Sequence, residues 1–231
     1  MASKIKIMTL NIHNYHDFEE RKTRIIKLIK RYNPDIVALQ EIRKNKKFHQ
    51  EDQAKQLNQE LKFKYHKFLQ VNNINKAKGL INVPPCYEGL AILSKFPFSN
   101  EEILLKKHKE DKFVRKILVA NIQIENQIIP IWVVHFSNND LFASLHAKEA
   151  LNHIKKPQPI ILGDFNIKYP SEIKKLAEEN NYSTNLNYVS FPEDNCNYDY
   201  IFIPKKFTFL TFECLPEIVS DHKALFAEIK L

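Results

Sequence analysis

Short apolar runs recur along the chain, and their periods predict its elements. Residues 5–11 (IKIMTLN) read as a strand. Across 19–32, Ile25, Leu28, Ile29 and Tyr32 fall on one helical face with Lys and Arg opposite, and Asn33-Pro34-Asp35 ends that helix. The run 36–39 is a buried strand that delivers Gln40 and Glu41 at its C-terminal end. Residues 49–61 favour helix and 65–71 strand, whereas 72–86, with NNINK and Pro84-Pro85, reads as loop. A strand follows at 89–93, then a hairpin of 114–124 and 128–135 turning at Glu125-Asn126-Gln127. Helical spacing returns over 141–155. The short strand 159–162 runs into Gly163-Asp164-Phe165-Asn166, after which Ser171 is placed to cap a helix to 179. Beyond a loop over 180–197, strands are expected at 199–203, 207–212 and 224–229.

Strands pairing in hairpins, with helices interspersed, indicate two packed sheets covered by helices more than one parallel sheet. No repeat, low-complexity tract or linker divides the chain, so residues 1–231 are expected to form one domain. A hydrophobic content of 44% with 11% aromatics suffices for a sizeable core. No apolar run approaches the roughly 18 residues of a membrane span, and MASKIKIMTLNI lacks a signal-type apolar stretch. A cytoplasmic monomer without stable membrane insertion is therefore expected. The three cysteines, Cys86, Cys196 and Cys214, show no CxxC spacing, which argues against a disulfide framework or a thiolate zinc site. Only three glycines are present, too few and too scattered for a GxGxxG turn or a GxxxxGK phosphate loop. The net charge of +8, carried mainly by dispersed lysines, is compatible with a polyanionic partner and equally with plain solubility.

The candidate chemistry sits where apolar strands end: Asn11 after IKIMTL, Glu41 after DIVALQ, His135 after IWVV, Asp164 after IILG, and Asp221-His222 before the last strand. Strand ends are where a scaffold brings distant side chains to one pocket. In order along the chain, TLNIHN (9–14), PDIVALQE (34–41), EGLAILSKFP (88–97), VVHFS (133–137), ILGDFN (161–166), YDYIFIP (198–204) and SDHKAL (220–225) resemble the motifs of the endonuclease/exonuclease/phosphatase superfamily. Single motifs are moderately specific; the ordered set is highly specific.

The resemblance implies a four-layer α/β/β/α sandwich of two mainly antiparallel sheets, deoxyribonuclease I-like, that hydrolyses phosphoesters with Mg²⁺ or Mn²⁺. It implies Glu41 and Asp221 as metal ligands supported by Asn11, oxygen donors suited to a hard cation. Asp164 would deprotonate the attacking water and Asn166 would hold that water or a phosphate oxygen; in an extended strand end the two side chains point the same way. His222, oriented by Asp199, would contact the phosphate and share in proton transfer. His135 with Glu88 would form a second acid/base pair, as in the deoxyribonuclease I-like and sphingomyelinase-like branches. Two positions depart from the pattern on the phosphate side: Val133-Val134-His135 in place of Asn-x-His, and Asn197-Tyr198 where a basic residue often precedes the Asp-Tyr motif.

Among other polar residues, His13 and His16 are expected to face solvent, His146 and His153 to lie at the core edge or surface, and the basic stretches 21–31 and 106–116 to be solvated faces. Arg43, Lys44, Lys46 and Lys47, beside Glu41, could steer a polyanion. Phe165 is read as packing, and 72–87 and 180–197 as specificity loops. The first functional reading is a phosphodiesterase of nucleic acid. The alternatives are a sphingomyelinase-like or inositol- or small-phosphate esterase, and a family scaffold kept as a catalytically silent binding module.

Overall fold

The computed structural model describes residues 3–13, 17–45, 51–74 and 85–231. In chain order the elements are β1 (Lys4–Asn11), α1 (Phe18–Tyr32), β2 (Ile36–Asn45), α2 (Gln53–Leu61), β3 (Tyr65–Ile74), β4 (Cys86–Ser94), β5 (Phe98–Leu104), β6 (Lys116–Ile124), β7 (Gln127–His135), α3 (Asp140–Asn152), β8 (Ile160–Asp164), α4 (Pro170–Glu179), β9 (Tyr182–Ser183), β10 (Asp199–Pro204), β11 (Thr208–Cys214) and β12 (Leu225–Lys230).

Two six-stranded sheets result, ordered β11-β12-β1-β2-β4-β3 and β5-β6-β7-β8-β10-β9. Within each sheet a single neighbouring pair is parallel, β1 with β2 and β7 with β8; the others are antiparallel. Alternation along the strands divides the apolar residues into three layers. Ile5, Ile7, Ile36, Ala38, Ile92, Ile131, Leu162 and Ile201 belong to the core between the sheets. Val37 and Leu39 face α1, which contributes Ile25, Leu28 and Ile29, and α2, which contributes Ala54 and Leu57. On the far side Trp132, Val134, Tyr200 and Phe202 meet Ala143 and Ala147 of α3 and Ile173 and Leu176 of α4. The expected four-layer sandwich is thus present.

Several local expectations are revised. The helix expected from 49 begins, among described residues, at Gln53, where Asp52 accepts from the Lys55 amide as N-cap. Ser171 does not cap α4; Tyr169 holds that position and Pro170 supplies the first helical residue, where its missing N–H costs nothing. Strand β5, whose exposed residues are polar except for Leu104, and the two-residue β9 had no apolar run to announce them. Residues 72–74 continue β3 beyond the expected loop boundary, and most of the remaining stretch, 75–84, lies outside the described residues, as do His16, Lys46 and Lys47.

Candidate active site

Neighbouring strand ends bring the polar residues together. In the second sheet Asp164 is in register with His135 of β7 on one side and with Asp199 of β10 on the other, so three strands present three functional side chains along one line. In the first sheet Asn11 ends β1 beside Gln40 of β2, and Glu41 follows. The β2–β4 register shifts between Leu39 and Ile42, and Glu41 adopts φ 56° within that irregularity. A non-glycine residue in the left-handed region carries strain, and here it sits where a carboxylate leaves the sheet for the site.

Asp164 occupies the centre. The residue is 1% exposed; Oδ2 accepts from Asn11 Nδ2 at 3.0 Å and Oδ1 from the Asn166 backbone amide at 2.9 Å. His135 Nε2 lies 3.6 Å and His222 Nε2 3.9 Å from Asp164 Oδ2. The other ring nitrogen of His222 meets Asp199 Oδ2 at 2.8 Å, a buried carboxylate–imidazole pair. Asn11 Nδ2 also approaches Glu41 Oε1 at 3.4 Å, and its oxygen accepts the His13 backbone N–H. His13 Nδ1 in turn stands 3.5 Å from Asp221 Oδ2, so this residue, read from sequence as solvent-facing, joins the rim of the site.

Both imidazoles are largely buried, and their charged neighbours set them apart; for His135 burial is the leading cause. It holds His135 well below the usual histidine range, reinforced by the positive charges of Arg115, His222 and Arg43. The contact of His135 with Asp164 is therefore between a neutral ring and a carboxyl group, not an ion pair. Burial opposes the charged form of His222 as well, but Asp199, Asp164 and Asp221 outweigh it and raise the imidazole to about 10. Asp164 is raised above the ordinary carboxylate range, first by burial and then by Asp199, against the opposing pull of His222 and the Asn11 hydrogen bond.

Two donor groups compete as a place for a metal ion. Asp164, Asp199 and His222 offer ligand atoms within 4.8 Å of one another. The hydrogen bond between Asp199 and His222 already engages two of these residues, which suits proton handling better than ligation. Glu41 and Asp221 are half-buried, with buried Asn11 beside Glu41, and the three offer oxygen atoms, the donor set a hard divalent cation prefers.

The remaining expectations divide. Glu88 is buried, but the side chain it approaches is Arg43, whose Nη2 is 3.9 Å away; burial raises its carboxyl above the usual range against the pull of Arg43. No contact between Glu88 and His135 is seen among the described residues, so the expected pair gives way to Glu88 with Arg43 and His135 with Asp164. Arg43 reaches the site because the irregularity in β2 shifts the alternation, placing it opposite Glu88; Lys44, one residue on, turns to the other face. Asn166 is not extended as expected but has φ 52°, and its side-chain amide donates to the Phe136 carbonyl at 3.1 Å, pinning the loop after His135.

The stretches 21–31 and 106–116, expected as solvated faces, each bury an arginine, Arg21 and Arg115. Arg115 is 5% exposed and its Nη1 donates to the His135 carbonyl at 3.4 Å. Buried Arg21 donates to the carbonyls of Val219 and His13, tying together the loops that carry Asp221 and His13. A signal was present: the chain has five arginines against thirty lysines, and a planar, weakly hydrated guanidinium is the cation suited to burial.

A two-sheet sandwich that gathers carboxylates and imidazoles at its strand ends, with buried arginines on adjoining segments, defines an α/β scaffold of the deoxyribonuclease I-like class. The Endonuclease/Exonuclease/phosphatase family matches residues 8–222, and the chain belongs to that family. No curated protein matches it. Among solved structures, an endonuclease/exonuclease/phosphatase from Beutenbergia cavernae is similar at 17% identity and TM-score 0.79, covering 99% of this chain and 72% of the other. D. rerio TDP2 complexed with a single-strand DNA product is similar at 16% identity and TM-score 0.71, covering 99% and 100%. A mannosyl-6-phosphatase from Bacteroides thetaiotaomicron is similar at 14% identity and TM-score 0.72, covering 98% and 100%. At such identities these likenesses establish the fold alone.

Proposed function

We propose that the protein is a divalent-metal-dependent phosphodiesterase that cleaves nucleic-acid strands. The observation carrying the reading is the position of Asp164, fixed by Asn11 and the Asn166 amide, within 4 Å of two imidazoles of opposite protonation preference. When titratable neighbours are pushed apart in this way, their acid and base roles separate.

Asp164, ionised, takes the proton of the attacking water; its raised pKa makes it a stronger base than an ordinary carboxylate. His222, kept protonated by Asp199, faces the phosphoryl group as a cation and proton donor. Neutral His135 is the second group able to exchange a proton with the leaving oxygen. Arg43 and Arg115 make the wall beside Glu88 positive, which supports a polyanionic substrate despite the two departures on the phosphate side. Glu41 and Asp221 would hold Mg²⁺ or Mn²⁺ with Asn11 in support, and the bound cation would offset charge on the phosphoryl oxygens.

The relative solved with single-strand DNA favours a nucleic-acid diester, whereas the mannosyl-6-phosphatase keeps a sugar monophosphate as the second reading. The deciding experiment incubates the protein with single- and double-stranded DNA, RNA, mannose 6-phosphate, an inositol phosphate and sphingomyelin, with Mg²⁺, with Mn²⁺ and with EDTA. Metal-dependent strand cleavage is expected. Intact nucleic acid beside hydrolysis of another ester would overturn the reading.

A further inference from the structure

Between β5 and β6, residues 105–115 (LKKHKEDKFVR) form a loop that the fold holds from several sides. Its ends are joined by the Leu105 amide donating to the Arg115 carbonyl at 3.0 Å. The Lys106 amide donates to both carboxylate oxygens of Glu149 on α3, and the Lys106 carbonyl meets His146 Nε2 at 3.2 Å. The His108 ring stacks on Phe142, centroids 4.9 Å apart and planes 1° from parallel. Near its other end, Asn72 of β3 clamps Val114, accepting from its amide at 3.0 Å and donating to its carbonyl at 3.3 Å. Arg115 then touches the His135 carbonyl in the active site.

What this fixed loop shows to solvent is charge. Lys106, Lys107, Lys109 and Lys112 are exposed and form no ion pair among the described residues, whereas the apolar Leu105, Phe113 and Val114 are buried or half-buried. With Arg115, the loop carries five cationic side chains against Glu110 and the buried Asp111. Immobilising a segment costs conformational entropy, and a surface ordered in advance loses less of it on binding. Lys112 stands three residues from Arg115, at most about 11 Å along the backbone, a span a nucleic-acid strand covers in a few nucleotides. A membrane-docking loop would need several apolar side chains to insert; none between 105 and 115 is exposed, and the adjoining Leu104, exposed at the end of β5, stands alone beside four exposed lysines.

We propose that the 105–115 loop is a docking surface for the phosphate backbone of a nucleic-acid strand outside the reacting ester, with Lys107, Lys109 and Lys112 as its contacts. The proposal rests on the nucleic-acid reading for its biological use, but its test is binding, which is separate from cleavage. A fluorescein-labelled single-stranded DNA of about twenty nucleotides is titrated in EDTA at several salt concentrations. The proteins are wild type, Lys107→Glu/Lys109→Glu/Lys112→Glu, and the corresponding triple arginine variant. The glutamate variant is expected to raise Kd about 10-fold or more and to lower the slope of log Kd against log salt by about 2, while the arginine variant stays near wild type. Turnover of bis(p-nitrophenyl) phosphate with Mn²⁺ should be the same in all three.

A Kd changed less than about 2-fold in the glutamate variant, or wild type that does not bind the strand, overturns the proposal. So does a matching loss of small-ester turnover, which would mean that the loop acts on the centre itself. Loss of binding to phosphatidylserine vesicles with unchanged DNA affinity would assign the loop to membranes and likewise overturn it. Lysine-dependent binding by a wild-type protein that cleaves no nucleic acid would leave the docking surface standing and remove the cleavage reading.

Discussion

The side-chain amide of Asn11 donates to Asp164 Oδ2 at 3.0 Å, a hydrogen bond between residues 153 apart in sequence that joins the two sheets at their functional ends. The same Nδ2 approaches Glu41 at 3.4 Å, so one amide positions both the proposed base and a proposed metal ligand.

Replacing Asn11 with Ala should lower kcat about 100-fold, because displacements of about 1 Å at a reacting centre have effects of that size. The hydrogen bond favours ionised Asp164, so its loss raises that carboxyl further. The acid limb of the pH–rate profile should therefore move to higher pH. An unshifted limb would show that Asn11 does not act through Asp164.

Asp199→Asn removes the charge that keeps His222 protonated, and hydrolysis should fall between about 10²- and 10⁴-fold. The pair also links stability to pH. The folded-state pKa of His222 lies above its unfolded value of about 6.5, so the stabilisation is complete below that value and disappears as pH rises through about 10. Thermal unfolding should thus place wild type a few degrees above Asp199→Asn near pH 6, with the gap closing toward pH 10. A gap that widens with pH would contradict the assignment.

The layered sandwich and most strands were readable from sequence because each apolar run, such as 36–39 or 128–135, reports the face it buries. The polar groups at the ends of those runs were readable for the same reason: Asn11, Glu41, His135 and Asp164 stand where apolar periodicity stops. Alternation could not be carried past the irregularity at Glu41, so Arg43 and Lys44 looked equivalent although only Arg43 faces the site. The pairing of His135 was likewise invisible, since it depends on the parallel register of β7 with β8. Arg21 and Arg115 lie outside the apolar strand ends, and their roles come from side chains reaching backbone carbonyls of other segments. Strand β5 had little periodicity to show because its residues are largely exposed.

Gly163, one of three glycines, has φ +143°, and an added Cβ there would overlap the Val134 carbonyl. β8 must pass this close to β7 for His135 and Asp164 to stand in register. Gly163→Ala should cost about 3 kcal/mol or more, from strain combined with backbone overlap. The matching observation is a Tm lowered by about 6 °C or more, or loss of soluble protein. Gly89→Ala should behave similarly, since its Cβ would overlap the Leu69 carbonyl across β4 and β3. A Tm within about 2 °C of wild type for either variant would show that the strands separate more easily than their register implies.

Metal binding can be separated from catalysis by its effect on unfolding. A ligand that binds only the folded state stabilises it by about 2.7 kcal/mol at 100 times its Kd, so Mg²⁺ or Mn²⁺ should raise the wild-type Tm by several degrees. If Glu41 and Asp221 are the ligands, Glu41→Gln and Asp221→Asn should abolish most of that rise. His135→Ala should keep it, since the His135 ring contacts Asp164 and belongs to neither proposed donor group. Asp199→Asn distinguishes the second donor group. If Asp164, Asp199 and His222 held the ion instead, this variant would lose the metal-induced rise and Glu41→Gln would retain it. Because both arms are read without substrate, the result identifies the ligands whether or not the natural phosphoester is in hand.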